Sequence, residues 1–123
     1  MPVIDLGFGV LMDGVAPVFI LGPCVIESES FVRGLAAELK SIATTVGARF
    51  VFKASYDKAN RTSIHSYRGM GCREGTRLLG EIGRELGVPV TTDVHTAEEI
   101  IIAADFIDVL QIPAFLCRQT DLI

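Results

Sequence analysis

Four short apolar runs in the sequence each end in residues that could bind or transform a small anion. In chain order these residues are Cys24, Lys53 with Ser55, Asp93, and Gln111. A lysine directly after a buried run is costly to place near a core unless its charge meets an anion. One such ending could arise by chance, but four together favour a binding site.

The segment that follows the second run carries further groups suited to phosphate. Its cationic, amide and hydroxyl side chains include Lys58, Asn60, Arg61 and Thr62. Guanidinium, ammonium and hydroxyl groups are donors that match phosphate oxygens, and loops of this length inside compact domains are usually functional. From residue 53 to residue 73 the charge is +4, within a chain of net charge −4. This indicates a local anion site rather than a nucleic-acid surface, although a solvated basic loop is an equally simple interpretation.

The sequence alone leaves two possible roles for several single residues. Cys24 could be a small buried hydrophobe, which is the commoner role of an unpaired cysteine. His65 and His95 could act as acid–base groups or make ordinary hydrogen bonds. Asp93 could cap the following helix or orient a substrate hydroxyl, and its place at a strand end favours the second role.

The elements that position these residues alternate between strand and helix. The apolar runs predict strands at 18–21, 50–52, 88–92 and 109–112, and apolar spacings of three and four predict helices at about 31–46, 74–86 and 96–104. Ser28 or Ser30 is expected to cap the first helix, and residues 2–12 could form a small hairpin. Such alternation is typical of a parallel α/β sheet, either open and doubly wound or part of a β/α barrel. Both architectures bind ligands at the carboxyl ends of their strands.

Composition limits the class of protein. The 123 residues suit one domain, residues 1–123, without an internal boundary, and the 50% hydrophobic content argues against disorder. Neither a membrane span nor a nucleic-acid partner is expected. Three cysteines without paired spacing argue against a disulfide framework and predict a cytoplasmic location.

Four stretches resemble the 3-deoxy-D-manno-octulosonate 8-phosphate synthases. They are residues 22–28, 52–69, 92–95 and 110–122, the second and fourth being long and specific. The related heptulosonate synthases of the shikimate pathway typically have Lys-Pro-Arg-Thr where this chain has Lys-Ala-Asn-Arg at 58–61, so we consider them the less similar group.

The resemblance implies a (β/α)8 barrel of which this chain has the first four strands. It implies a transferase that condenses phosphoenolpyruvate with D-arabinose 5-phosphate and water, and releases phosphate, in lipopolysaccharide sugar synthesis. Lys58 and Asp93 would be catalytic. Substrate contacts would come from Lys53, Ser55, Lys58, Asn60, Arg61, Thr62, Gln111 and Arg118. The resemblance also implies a homotetramer, in which Arg118 reaches a phosphate in a neighbouring subunit.

The resemblance also implies a metal-binding role for Cys24. The metal-dependent members have cysteine at this place, which makes Cys24 an expected ligand of a divalent ion of the Mn, Fe, Zn, Co or Cd type. The other ligands would come from the second half of the barrel, so we expect the chain to be inactive alone. The alternative is a non-catalytic half-barrel that binds phosphorylated ligands or pairs with a second half.

Overall fold

The computed structural model describes residues 2–58, 64–65 and 69–123. Its strands are β1 (Ile4–Asp5), β2 (Leu11–Met12), β3 (Val18–Leu21), β4 (Arg49–Lys53), β5 (Val90–Asp93) and β6 (Val109–Gln111). Its helices are α1 (Glu29–Val46), α2 (Cys72–Leu86) and α3 (Ala97–Ala103), followed by a 3₁₀ turn at Ala114–Leu116.

The four longer strands form one parallel sheet in the order β3-β4-β5-β6. Within the described residues, each parallel connection passes through one helix, as the alternating sequence pattern predicts. The α/β fold class is therefore confirmed, with four parallel strands and a separate antiparallel pair, β1-β2, at the amino terminus.

Local capping sets the helix ends. The Ser28 hydroxyl accepts a hydrogen bond from the Phe31 N–H at 3.2 Å, which identifies Ser28 as the cap of α1. Thr96 caps α3 in the same way, with a 3.2 Å bond from the Glu99 N–H. Helix α2 begins at Cys72, two residues before the predicted start, and has no side-chain cap.

The core lies between the sheet and the helices. Phe50 and Phe52 on β4 point toward the helices and are buried, and Leu79 and Ile82 of α2 pack in the same cluster. Val51, between the two phenylalanines, is also buried but belongs to the opposite face of the sheet. Burial of each such side chain contributes roughly 1.5–3 kcal/mol relative to exposure.

The amino-terminal hairpin lies across the amino ends of the sheet strands. Arg49, the first residue of β4, donates to both carboxylate oxygens of Asp13, at 2.6 and 2.9 Å, and to the Leu11 carbonyl at 2.7 Å. These hydrogen bonds lower the pKa of Asp13 well below its usual range. Gly7 lies against Pro89 and Asp108, which precede β5 and β6. The hairpin therefore occupies the amino end of the sheet and leaves its carboxyl end accessible.

Among the described residues, no helix is long and apolar enough to cross a membrane.

Candidate functional site

The last residues of three neighbouring strands lie on one face of the sheet. Asp93 pairs in register with Gln111, and Lys53 pairs with Thr91, two residues before Asp93. Because side chains alternate along a strand, Lys53, Asp93 and Gln111 lie on the face opposite the helices. That face would be the interior of a barrel, so these residues stand at its carboxyl end.

A chain of polar contacts joins two of these strand ends. The Lys53 Nζ donates to the Ser55 Oγ at 3.4 Å, and the Ser55 hydroxyl donates to Asp93 Oδ1. The other Asp93 oxygen, Oδ2, lies 3.0 Å from His95 Nε2. The Asp93 carboxylate therefore contacts a side chain through each of its oxygens. Asp93 does not cap helix α3, which was one possible role for it, because Thr96 is the cap.

His95 lies between two carboxylates. Its Nε2 faces Asp93, and its Nδ1 lies 3.3 Å from Glu99 Oε2, which also accepts the His95 backbone N–H at 2.8 Å. The Tyr56 ring packs edge-on against the imidazole, with ring centroids 5.9 Å apart. Tyr56 is fully buried, and burial raises the pKa of its hydroxyl above the usual range.

Glu99 is not among the site residues predicted from the sequence. A signal for it exists, because Thr96 and Glu99 have the spacing of a capping box, in which a helix-start glutamate turns back toward the preceding backbone. Here the glutamate reaches one residue farther, to the N–H of His95. Helix α3 and the strand end of β5 are joined by this contact.

A small open cavity lies where these residues meet. It has a volume of about 180 Å³ and is lined by Cys24, Ser55, Asp57, Lys58, Asp93, His95 and Phe115. Whole ligand sites usually measure roughly 300–1,000 Å³, so this cavity matches part of such a site. Cys24 is exposed there, so it is not the small buried hydrophobe that was one interpretation of the sequence.

Close backbone packing positions the Cys24 loop beside Ser55. The Ile26 N–H donates to the Ser55 carbonyl at 2.9 Å. Directly after β3, Gly22 lies so close to β4 that a β-carbon there would come within 1.5 Å of the Lys53 carbonyl oxygen. Glycine is therefore required for the loop to cross the end of β4.

The remaining predicted residues have different positions. Gln111 and Arg118 are exposed and do not line the cavity. Asn60, Arg61 and Thr62, predicted to contact the sugar phosphate, lie outside the described residues. His65 is exposed and is not part of the cavity lining. Within the described ranges, no three His, Cys, Asp or Glu side chains are grouped so as to hold a metal ion.

Comparisons with known proteins agree on one family. The model of the DAHP synthetase I family matches residues 9–123. The chain is 53% identical over 116 residues to a 2-dehydro-3-deoxyphosphooctonate aldolase of Geobacter sp. (strain M21). The aligned region covers 94% of this chain and 42% of that relative. It is 55% identical over 118 residues to the aldolase of the same name from Azoarcus sp. (strain BH72). In this case the aligned region covers 95% of this chain and 42% of that relative.

The chain thus spans about 42% of the length of these relatives. The family match covers nearly all of this chain, including the strand ends and the cavity they form. The chain belongs to the DAHP synthetase I family.

Proposed function

We propose that residues 1–123 form the amino-terminal half of a single barrel domain that makes 3-deoxy-D-manno-octulosonate 8-phosphate. The reaction condenses phosphoenolpyruvate with D-arabinose 5-phosphate and water, and it releases phosphate. The observation that carries the proposal is the cavity at the carboxyl ends of the strands, where Cys24, Ser55, Lys58 and Asp93 meet. The printed name of the relatives, 2-dehydro-3-deoxyphosphooctonate aldolase, supports this choice of reaction.

The contacts around Asp93 support a division of roles. Lys53 and Ser55, with Gln111, bind phosphoenolpyruvate, since a cation and a hydroxyl at 3.4 Å from each other suit a carboxylate or phosphate. Lys58 lies in the same cavity and contacts both substrates. Carbon 3 of the enol attacks the sugar aldehyde and water adds at carbon 2, with Asp93 beside the reacting carbons.

Three further residues would bind the pentose phosphate. Asn60, Arg61 and Thr62 follow Lys58 by two to four residues and offer an amide, a guanidinium and a hydroxyl to phosphate oxygens. In the assembled enzyme, which we propose to be a tetramer, the exposed Arg118 reaches a phosphate in a neighbouring subunit. The three free cysteines fit a reducing compartment, so we place the enzyme in the cytoplasm.

We further propose the metal-dependent form of the enzyme, with Cys24 as one ligand of a divalent ion. The exposed thiol in the cavity is a donor that transition metals accept. The resemblance implies that the remaining ligands would come from the second half of the barrel, and the described residues group no three such donors. A divalent ion at this site would polarise a bound water or carbonyl oxygen.

Fragment complementation tests the proposal. The chain is mixed with the part of the Azoarcus relative that lies outside the matched region, with both substrates and Mn²⁺ present, and phosphate release is measured. We expect none from the chain alone and release from the mixture. Lys58→Met should abolish release, and the matched control Lys40→Met, on helix α1, should not.

Three results would contradict the proposal. Phosphate release by the pure chain would show that the half-barrel is sufficient. A folded complex that binds both substrates without releasing phosphate would favour a non-catalytic binding role. Release with a four-carbon in place of a five-carbon aldose phosphate would assign the heptulosonate reaction instead.

A further inference from the structure

We propose that His95 and Glu99 are positioning residues that hold the Asp93 carboxylate in the orientation the reaction needs. This inference rests on the proposed function, because it takes Asp93 to lie at the reacting centre. Neither side chain has to touch substrate, since both act through Asp93.

Asp93 is restrained through both of its oxygens. Oδ1 accepts the Ser55 hydroxyl, and Oδ2 lies 3.0 Å from His95 Nε2. A carboxylate held by a single contact can rotate about its last bond, whereas two contacts on different oxygens fix the plane. Ser55 sets one side of that plane, and the orientation of the imidazole sets the other.

The imidazole needs its own support, and Glu99 supplies it. The His95 side chain is only 14% exposed, and its Nδ1 makes no aligned hydrogen bond among the described residues. Glu99 Oε2 lies 3.3 Å from that nitrogen and is itself held by the 2.8 Å bond from the His95 N–H. The Tyr56 ring closes a further side at 5.9 Å.

The two carboxylates also restrict where the ring hydrogens lie. A neutral imidazole carries one N–H and one lone pair, and a lone pair facing a carboxylate is repulsive. The ring avoids this repulsion toward Asp93 only when Nε2 bears a hydrogen, and toward Glu99 only when Nδ1 does. A neutral ring can therefore offer its one hydrogen to only one of the two carboxylates, so Glu99 competes with Asp93 for that hydrogen as well as fixing the orientation of the ring.

Glu99 further connects the site to helix α3. It stands in the first turn of α3, whose cap is Thr96, so the position of the carboxylate follows the position of the helix start. The neighbouring Glu98 is exposed in the same turn. Both glutamates interact with the helix dipole, but only Glu99 contacts His95, which makes Glu98 a matched control.

Imidazole ¹⁵N resonances test the positioning directly in the intact 123-residue chain. The chain has only two histidines, so the imidazole signals that remain in His65→Gln belong to His95. In proteins that keep His65, its signals serve as an internal reference. We expect Glu99→Ala to shift and broaden both His95 ring resonances and Glu98→Ala to leave them in place. Glu99→Gln, which keeps an acceptor oxygen, should restore most of the original spectrum.

The complemented enzyme supplies the kinetic readout. We expect Glu99→Ala to lower kcat on the order of tenfold or more, with little change in KM for phosphoenolpyruvate, because a misplaced group at the reacting centre affects the chemical step more than binding. Glu99→Gln should recover most of the loss, and Glu98→Ala should behave as the unchanged chain.

The outcomes separate this inference from the proposed function. Unmoved His95 resonances in Glu99→Ala, or a kcat equal to that of Glu98→Ala, would overturn the positioning role. A complemented enzyme that is inactive with every variant, while Glu99→Ala still moves the resonances, would overturn the proposed reaction and leave the placement of His95 intact.

Discussion

Two adjacent threonines on β5 illustrate how one strand serves two faces of the sheet. Thr91 and Thr92 are both buried. The Thr91 hydroxyl donates to the Val109 carbonyl at 2.7 Å, whereas the Thr92 hydroxyl has no partner among the described residues. Thr92 lies on the helix-facing side, next to apolar residues of the core.

These two threonines should respond to the same substitution with opposite signs. Thr92→Val removes a buried hydroxyl without a partner and should raise the free energy of unfolding by about 1 kcal/mol. Thr91→Val removes a made hydrogen bond and should lower it by about 1 kcal/mol. Urea unfolding of the three proteins measures both values. Equal losses in the two variants would mean that the Thr92 hydroxyl has a partner after all.

At the residue scale, the sequence predicts which strand ends carry polar groups but not how those groups contact one another. Lys53, Ser55 and Asp93 could be identified because each follows or ends an apolar run, and parallel strands bring their carboxyl ends together. The contact from Glu99 to His95 depends on where α3 begins relative to β5. Spacing alone does not give that distance.

At the element scale, Gly22 controls how β3 leaves the sheet. A β-carbon at this position would lie 1.5 Å from the Lys53 carbonyl oxygen, which belongs to a strand of the core. The two strands would have to separate, and the Cys24 loop and Lys53 would move with them.

We therefore expect Gly22→Ala to cost about 3 kcal/mol in the free energy of unfolding or to prevent folding. Gly34 is the matched control, because it lies in α1 with no atom within 4 Å of an added β-carbon. Gly34→Ala should stabilise the chain by up to about 1 kcal/mol through helix propensity. Thermal unfolding distinguishes the two, and a Gly22→Ala protein as stable as the parent would contradict the close packing of β3 on β4.

Helix α1 shows what periodicity can and cannot predict. The apolar spacing, with Ser28 or Ser30 as the cap, predicts the helix and its approximate start, and Gly47 ends it in the left-handed conformation. The stripe of apolar residues whose spacing predicts the helix, however, is not its buried face: none of them is fully buried, and Ile42 is 54% and Val46 69% exposed. They are Phe31, Leu35, Leu39, Ile42 and Val46, whereas the buried residues of α1 are Val32, Ala36 and Ala43. Periodicity identifies apolar faces, but which face has a neighbour depends on the elements packed around the helix.

At the scale of the whole molecule, this uncovered stripe continues into the edge of the sheet. Phe19 and Leu21 of β3 join Ile42 and Val46 of α1 in an apolar groove of about 180 Å³, whose further lining comes from Leu39, Ala43, Ala48 and Phe50. Within the described residues, β3 and β6 each pair with a strand on one side only. An open edge beside apolar surface is a site where chains associate.

The groove leads us to predict that the isolated chain associates in solution. Light scattering after size exclusion should give a mass above 13.3 kDa at micromolar concentration. The double substitution Ile42→Glu with Val46→Lys should lower that mass toward the monomer. It places charges in the groove, costs little in folding because both residues are exposed, and adds a favourable pair one helical turn apart.

Ile101 provides the control for surface hydrophobicity in general. It is 73% exposed on α3 and does not line the groove, so Ile101→Glu should leave the mass of the parent unchanged. A parent chain that is monomeric and unfolds cooperatively would contradict the prediction. An associated double variant would instead place the contact at the strand edges, where backbone N–H and C=O groups of β3 or β6 pair with another chain.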